Sequence, residues 1–112
     1  MRLITDAMPA LISYVDAQHY YRFVNRTYKE WFGVEQNEIV GKHVSEVLGD
    51  ETYQAILPSM ERVLSGEELA FERYLHYKYA GNKYVYVNYI PDIQSNGEVK
   101  GYYALVQDVT ER

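Results

Sequence analysis

The sequence predicts an α+β domain built as one five-stranded antiparallel sheet with short helices over one face. Three observations lead there. Two short apolar segments near the start read as a hairpin, and four short helical stretches follow. Long tyrosine-rich segments, separated by tight-turn signals, complete the chain. At 112 residues there is material for one domain and one core.

The elements follow in order. Residues 2–8 (RLITDAM) form a short leading helix with Leu3, Ile4 and Met8 on one side. Pro9 ends it, because the residue before a proline avoids helical geometry. "ALISYVD" is a strand, Ala17-Gln18-His19 a turn, and "YYRFVN" the returning strand, giving a hairpin over 10–25. Asn25 precedes "RTYKEWFG", where Tyr28, Trp31 and Phe32 share a helical face. Asn25 is therefore expected to cap that helix, and Gly33 to close it. "QNEIVGKHVSEVLGDE", broken by Gly41 and Gly49, gives two short helical turns.

Asp50 is expected to cap the longest helix, roughly 51–64. Its apolar face is Tyr53, Ile56, Leu57, Met60, Val63 and Leu64, and Ser65-Gly66 ends it. Pro58 predicts a kink there, or a later start. "LAFERYLHYKYA" and "KYVYVNYIPD" then flank "GN", a tight hairpin signal, and "SNGE" turns into the last strand, "VKGYYALVQDV".

Composition removes several classes of function. Apolar residues make up 47% of the chain, too many for disorder. No apolar run approaches the roughly 18 residues that cross a bilayer. "MRLITDAMPA" lacks the pattern of a secretory signal. Cysteine is absent, which rules out disulfides, thiolate metal sites and a cysteine nucleophile, and is compatible with a cytoplasmic location. Sixteen acidic residues against eleven basic ones give a net charge of -5, and the basic residues are scattered. Nucleic acid binding by this domain is not expected, since it needs a cationic face. Three histidines without paired spacing make a poor zinc site. No carboxylates converge: Asp50-Glu51 and Glu67-Glu68 are sequence neighbours at element ends and read as solvated caps.

Four ordered features carry a family resemblance: the hairpin ending in Asn25, Gly41 followed by a short helix to Leu48, "GNKYVYVNYIPD", and "GEVKGYYALVQDVTER" with its closing Asp-Val-Thr-Glu-Arg. Together they cover nearly the whole chain, which resembles a PAS domain. The resemblance implies the strand order 2-1-5-4-3. It implies a single sensor over 1–112: a flanking helix over 1–9, a core over 10–107, and an exit over 108–112 towards an output domain. Asp108, Thr110 and Glu111 belong to that exit; Asp108 or Thr110 could cap a helix beginning there, with Glu111 near its positive end. The implied function is a sensory and dimerisation input module, without catalysis of its own, in a larger bacterial-type signalling protein. Its output would be a histidine kinase or a diguanylate cyclase, and the parent could be membrane-anchored although this domain inserts in no membrane.

The resemblance also constrains cofactors. Flavin-type members form a bond to a cysteine in a Gly-x-Asn-Cys segment. Here the matching stretch is "GKHV", with His43 and Val44 in the last two places, so that thiol chemistry is excluded. Haem-binding members usually ligate iron from the long helix, and residues 51–64 contain no histidine, so haem is not expected.

Strand alternation sorts the sheet into stripes. Nearly every stripe is aromatic or apolar, so both faces want cover. Registered on the family pattern, Tyr74, His76, Tyr86, Asn88, Tyr102, Ala104 and Val106 point inward to a pocket, and Lys78 shares the stripe of Tyr74 and His76. Tyr103 and Leu105 point outward, to a second subunit or a covering helix. The Gly81 and Pro91 anchors disagree by one residue against flavin-type members, which leaves the middle strand open to inversion. A small ligand, or tyrosine hydroxyls and a buried water, would satisfy His76 and Asn88. His43 could alternatively sense pH. A second class, a small cone-shaped isomerase or dehydratase using His76 and a carboxylate, opens with long helices rather than a hairpin. A third reading is a ligand-free interaction module with a filled core.

Overall fold

The computed structural model describes residues 4–111 except Lys78. The expected positions of Arg2, Leu3, Lys78 and Arg112 lie outside the described residues. A 3-10 turn at Ile4–Ala7 leads into β1 (Ala10–Asp16) and β2 (Tyr21–Val24). Four helices follow: α1 (Thr27–Phe32), α2 (Gln36–Ile39), α3 (Val44–Leu48) and α4 (Asp50–Leu64). A meander of β3 (Leu69–Tyr77), β4 (Gly81–Ile93) and β5 (Val99–Asp108) completes the chain. The five strands form one antiparallel sheet in the order β2-β1-β5-β4-β3. The first hairpin thus joins the meander through β1 and β5, paired from Ala10↔Gln107 to Asp16↔Gly101.

The helices cover the face carrying Leu11 and Val15 of β1, Val85 and Val87 of β4, and Tyr102 of β5, and α1, α2 and α4 contribute Trp31, Ile39, Met60 and Val63 to the same cluster. α1 ends at Gly33, whose φ of 72° only glycine adopts without strain. A Cβ there would also stand 2.8 Å from the Tyr79 ring. α4 runs unbroken through Pro58 from Asp50, with Gly49 at its N-cap and no side-chain cap. Asp50 is therefore the first helical residue rather than the cap, and its charge still lies at the positive end of the helix dipole. The tertiary contacts of Ile56, Met60 and Val63 hold the helix across the proline, so it does not start later.

The hairpin between β3 and β4 differs from expectation. Tyr77 pairs with Gly81 and His76 with Asn82, so "GN" opens β4 instead of forming the turn.

Asn25 is the clearest correction. Its expected role was to cap α1, but Arg26 occupies the N-cap position and no side chain caps that helix. Asn25 is fully buried and works across the fold instead. Its Oδ1 accepts the Ile12 N–H at 3.0 Å, and its Nδ2 donates to the carbonyls of Ala10 at 2.8 Å and Thr5 at 2.7 Å. One amide thereby ties the leading turn and β1 to the end of β2. Thr27 adds a bond to the Met8 carbonyl at 2.8 Å, and the Asp6 carboxylate accepts the Arg26 N–H at 2.8 Å.

Gly101 shows a second long-range constraint. The Tyr14 phenol donates to Asp92 Oδ2 at 2.6 Å, crossing over Gly101. A Cβ on Gly101 would stand 2.3 Å from the Val15 carbonyl oxygen and 2.8 Å from the Tyr14 hydroxyl.

Two outcomes follow for chemical denaturation. Asn25→Ala strands buried backbone groups of Ile12 and Ala10 and is expected to cost on the order of 3 kcal/mol; a loss below about 0.5 kcal/mol would contradict the clamp. Gly101→Ala is expected to destabilise as well, by displacing β1 from β5, whereas Gly97→Ala, in open space at φ 88°, suffers only backbone strain.

Candidate functional site

Between the sheet and the helices lies a cavity of about 40 Å³. Its wall is mostly apolar: Leu11, Val15, Val44, Leu48, Ile56 and Met60. Five tyrosines also line it, Tyr21, Tyr28, Tyr77, Tyr89 and Tyr102, together with Ser13. Burial pushes all five phenols up, that of Tyr28 to about 12. They are neutral hydroxyls at any physiological pH, able to donate and accept hydrogen bonds. Ser13 is 1% exposed; its Oγ lies beside the Tyr28 phenol but lacks an aligned hydrogen-bond partner. Among the described residues no charged side chain lines this space.

The size of the cavity sets its chemistry. An apolar cavity near 150 Å³ accepts a benzene-sized molecule, and a single water needs roughly 10–15 Å³. A space of about 40 Å³ suits water or a molecule of a few heavy atoms.

Of the seven residues expected to point into a pocket, Tyr102, Ala104 and Val106 line the cavity. Tyr74, His76, Tyr86 and Asn88 do not. Tyr74 is 63% exposed on the opposite face, where it pairs with Tyr84, and Tyr86 and Asn88 stand opposite Gln107 and Leu105. His76 is exposed, with its Nδ1 2.7 Å from Asn82 Oδ1. Both β3 and β4 are thus shifted by one residue from the expected register, and Leu75, Tyr77, Val87 and Tyr89 take the inner places. The physical reason is the register of β4 on β5: Val87 stands opposite Val106 and Tyr89 opposite Ala104, so the β3–β4 hairpin, which keeps Tyr74 beside Tyr84, turns over as a unit. His76 stands in solvent with its Nδ1 on the Asn82 amide, rather than on the carboxylate that the isomerase reading requires.

Tyr103 and Leu105 face away from the helices. Tyr103 is 50% exposed, and its ring meets Tyr14 edge-on at 4.8 Å. Tyr84, Ile90 and Tyr74 are exposed on the same face.

The exit is stitched into β4. Asp108 Oδ2 accepts the Lys83 ammonium at 2.9 Å, and Oδ1 accepts the Thr110 N–H at 3.0 Å and its hydroxyl at 2.6 Å. The Thr110 hydroxyl oxygen in turn accepts the Tyr84 N–H at 3.0 Å, and Val109 N–H donates to the Tyr84 carbonyl at 2.8 Å. Asp108 and Thr110 are therefore engaged with β4, while Glu111 lies exposed in the turn. Lys83 Nζ also sits 4.9 Å over the Trp31 ring, and Trp31 meets the cavity residue Tyr77 edge-on at 5.1 Å. The contacts run continuously from cavity wall to exit. Nothing in the sequence pattern pointed to Lys83.

The Thr110 hydroxyl and Lys83 hold the Asp108 carboxyl down, from 3.8 to about 2. A carboxyl held below its unfolded value stabilises the fold above that value, and the contribution is lost as pH falls from about 3.8 through about 2. Lys83→Met is expected to raise the Asp108 pKa towards 3.8, read by side-chain carbon NMR. A value unmoved from about 2 would show that Lys83 does not anchor the exit.

Comparison with known proteins agrees with this architecture. Residues 5–112 match a family model described as the PAS fold. The PAS domain of Bordetella pertussis BvgS is 26% identical with a TM-score of 0.77, covering 100% of this chain and 85% of that one. The PAS domain of a Colwellia psychrerythraea protein is 17% identical with a TM-score of 0.76, covering 96% and 92%. VqmA from Vibrio cholera, solved as a ligand and DNA complex, is 16% identical with a TM-score of 0.82; the match covers 97% of this chain and 50% of that one. Among curated proteins there is no match. On the family match over almost its entire length, and on the order of its strands, this chain belongs to the PAS fold family.

Proposed function

We propose that this domain is the sensory and dimerisation input of a larger signalling protein. One observation carries the reading: the sheet has an uncovered aromatic face, and β5, at its centre, runs directly into the anchored exit. Ile12, Tyr14, Tyr103, Leu105 and Ile90 share that face. A second copy of the chain is its occupant. Residues 10–107 form the core and 108–112 the exit to an output domain, for which a histidine kinase or diguanylate cyclase fits the resemblance. A signal would repack the core and move β5 against its partner copy, a coupling of about 1–3 kcal/mol on the usual scale. No helix among the described residues is long and apolar enough to cross a membrane.

A second reading is favoured by the cavity volume. A space of about 40 Å³ supports a module that signals by packing, without an organic ligand.

Light scattering across a concentration series tests the dimer. The expected result is a concentration-dependent dimer that Leu105→Asp weakens at least tenfold. A strict monomer at high concentration, unchanged by the substitution, would contradict it. Native mass spectrometry separates the two readings of the core: a co-purifying small molecule supports the ligand sensor, and a bare mass in repeated preparations supports the interaction module.

A further inference from the structure

The turn after β1 and the loop before α3 are joined by a short antiparallel bridge. Val44 N–H donates to the His19 carbonyl at 2.8 Å, Tyr21 N–H to the Lys42 carbonyl at 3.0 Å, and Gly41 N–H to the Tyr21 carbonyl at 2.8 Å. This bridge sets two histidines side by side. The His19 and His43 rings meet edge-on with centroids 6.0 Å apart. Tyr53 of α4 stands 5.2 Å from His43 and 6.0 Å from His19, and Tyr20 stands 5.1 Å from His43.

His43 has a defined structural task. It is the N-cap of α3: its Nδ1 accepts the Ser45 N–H at 3.2 Å and lies 2.8 Å from the Ser45 hydroxyl. An imidazole that accepts at Nδ1 is neutral and keeps its proton on Nε2. His19 is the one non-glycine residue at positive φ, 70°, among the described residues, and its buried Nδ1 has no hydrogen-bond partner. Burial and the facing His43 lower the His19 pKa, against the opposing pull of Glu61 on α4 and Asp16 on β1. Asp16 is already engaged by Arg22 and by the N–H groups of Gln18 and Tyr20. The rings packed on His43, from Tyr20 and Tyr53, carry no charge that would compensate an imidazolium.

We propose that the His19–His43 pair is a proton-binding site that controls the α3 wall of the cavity. This inference rests on the reading of the domain as a sensor and names the proton as an input. A proton taken from solvent onto His43 occupies Nδ1, which then cannot accept the Ser45 N–H. α3 loses its cap, and a cation stands beside His19 and the partner-less Nδ1. The helix that loosens carries Val44 and Leu48, both of which line the cavity. For His19 the sign runs the same way. A histidine whose folded pKa lies below the ordinary 6.5 resists protonation when folded, so stability present near neutral pH falls as pH drops through 6.5.

Amide exchange of Ser45–Leu48, corrected for intrinsic pH dependence and measured from about pH 7.5 to about pH 5.5, tests this. Protection in the wild-type chain is expected to fall about fivefold, the worth of a typical N-cap. In His43→Asn the fall is expected to be clearly smaller, because asparagine caps a helix without titrating and only the His19 contribution remains. Flat protection in the wild type, or an equal fall in His43→Asn, overturns the proposal. Should that variant not fold, nitrogen NMR of wild-type His43 decides: protonation at Nδ1 together with loss of Ser45 protection supports the site, and protonation with that protection intact overturns it. Val109 and Thr110 amides, followed in the same spectra, separate the two claims. A response at Ser45 that leaves the exit unmoved supports the proton site and counts against transmission to an output.

Discussion

One constraint organises this molecule: a sheet that is apolar on both faces, and helices enough to cover only one. The helical layer buries the stripe of Val85, Val87 and Tyr102. The opposite stripe, with Tyr103 and Ile90, stays in water. Everything else follows from how that asymmetry is held in place. Asn25 fixes the leading turn and the hairpin to each other, Gly101 lets β1 and β5 approach, and β5 lies in the middle of the sheet, touching both layers. A repacking of the covered face reaches the uncovered one through a single strand.

The covered face is itself unusual chemically. Among the described residues its cavity is walled by hydrocarbon and neutral hydroxyls, without a charged side chain. Such a space orients a hydroxyl-bearing guest or a water, and charges a heavy desolvation penalty to any ion. The polar coupling lies outside it, in the Lys83–Asp108 pair and the Trp31 ring beneath Lys83. Packing inside and charge pairing at the rim are thus in mechanical contact, joined by Tyr77 against Trp31.

Much of this was legible in the sequence. Hairpin, helices and meander follow from apolar periodicity and turn residues, and the strand order is what the PAS resemblance implies. The face of β5 came from the family pattern, and Tyr102, Ala104 and Val106 do line the cavity. The faces of β3 and β4 were not legible, since tyrosines occur on both of their stripes and erase the polar contrast on which register depends. The stripe of Val85 and Val87 against Asn88 was the available signal. Asn25 was misread for a different reason: a local rule explained it fully, and its true partners, Thr5, Ala10 and Ile12, are distant in sequence. The His19–His43 contact was equally invisible, being made by a bridge between two loops.

The central claim is that the bare sheet face is the surface through which this domain works. A soluble paramagnetic probe tests it directly, by reporting which amides remain accessible as the protein is concentrated. The account predicts that Ile12, Tyr103 and Leu105 become shielded on concentration while the exposed start of α4 does not. Equal accessibility of that face at every concentration would contradict it.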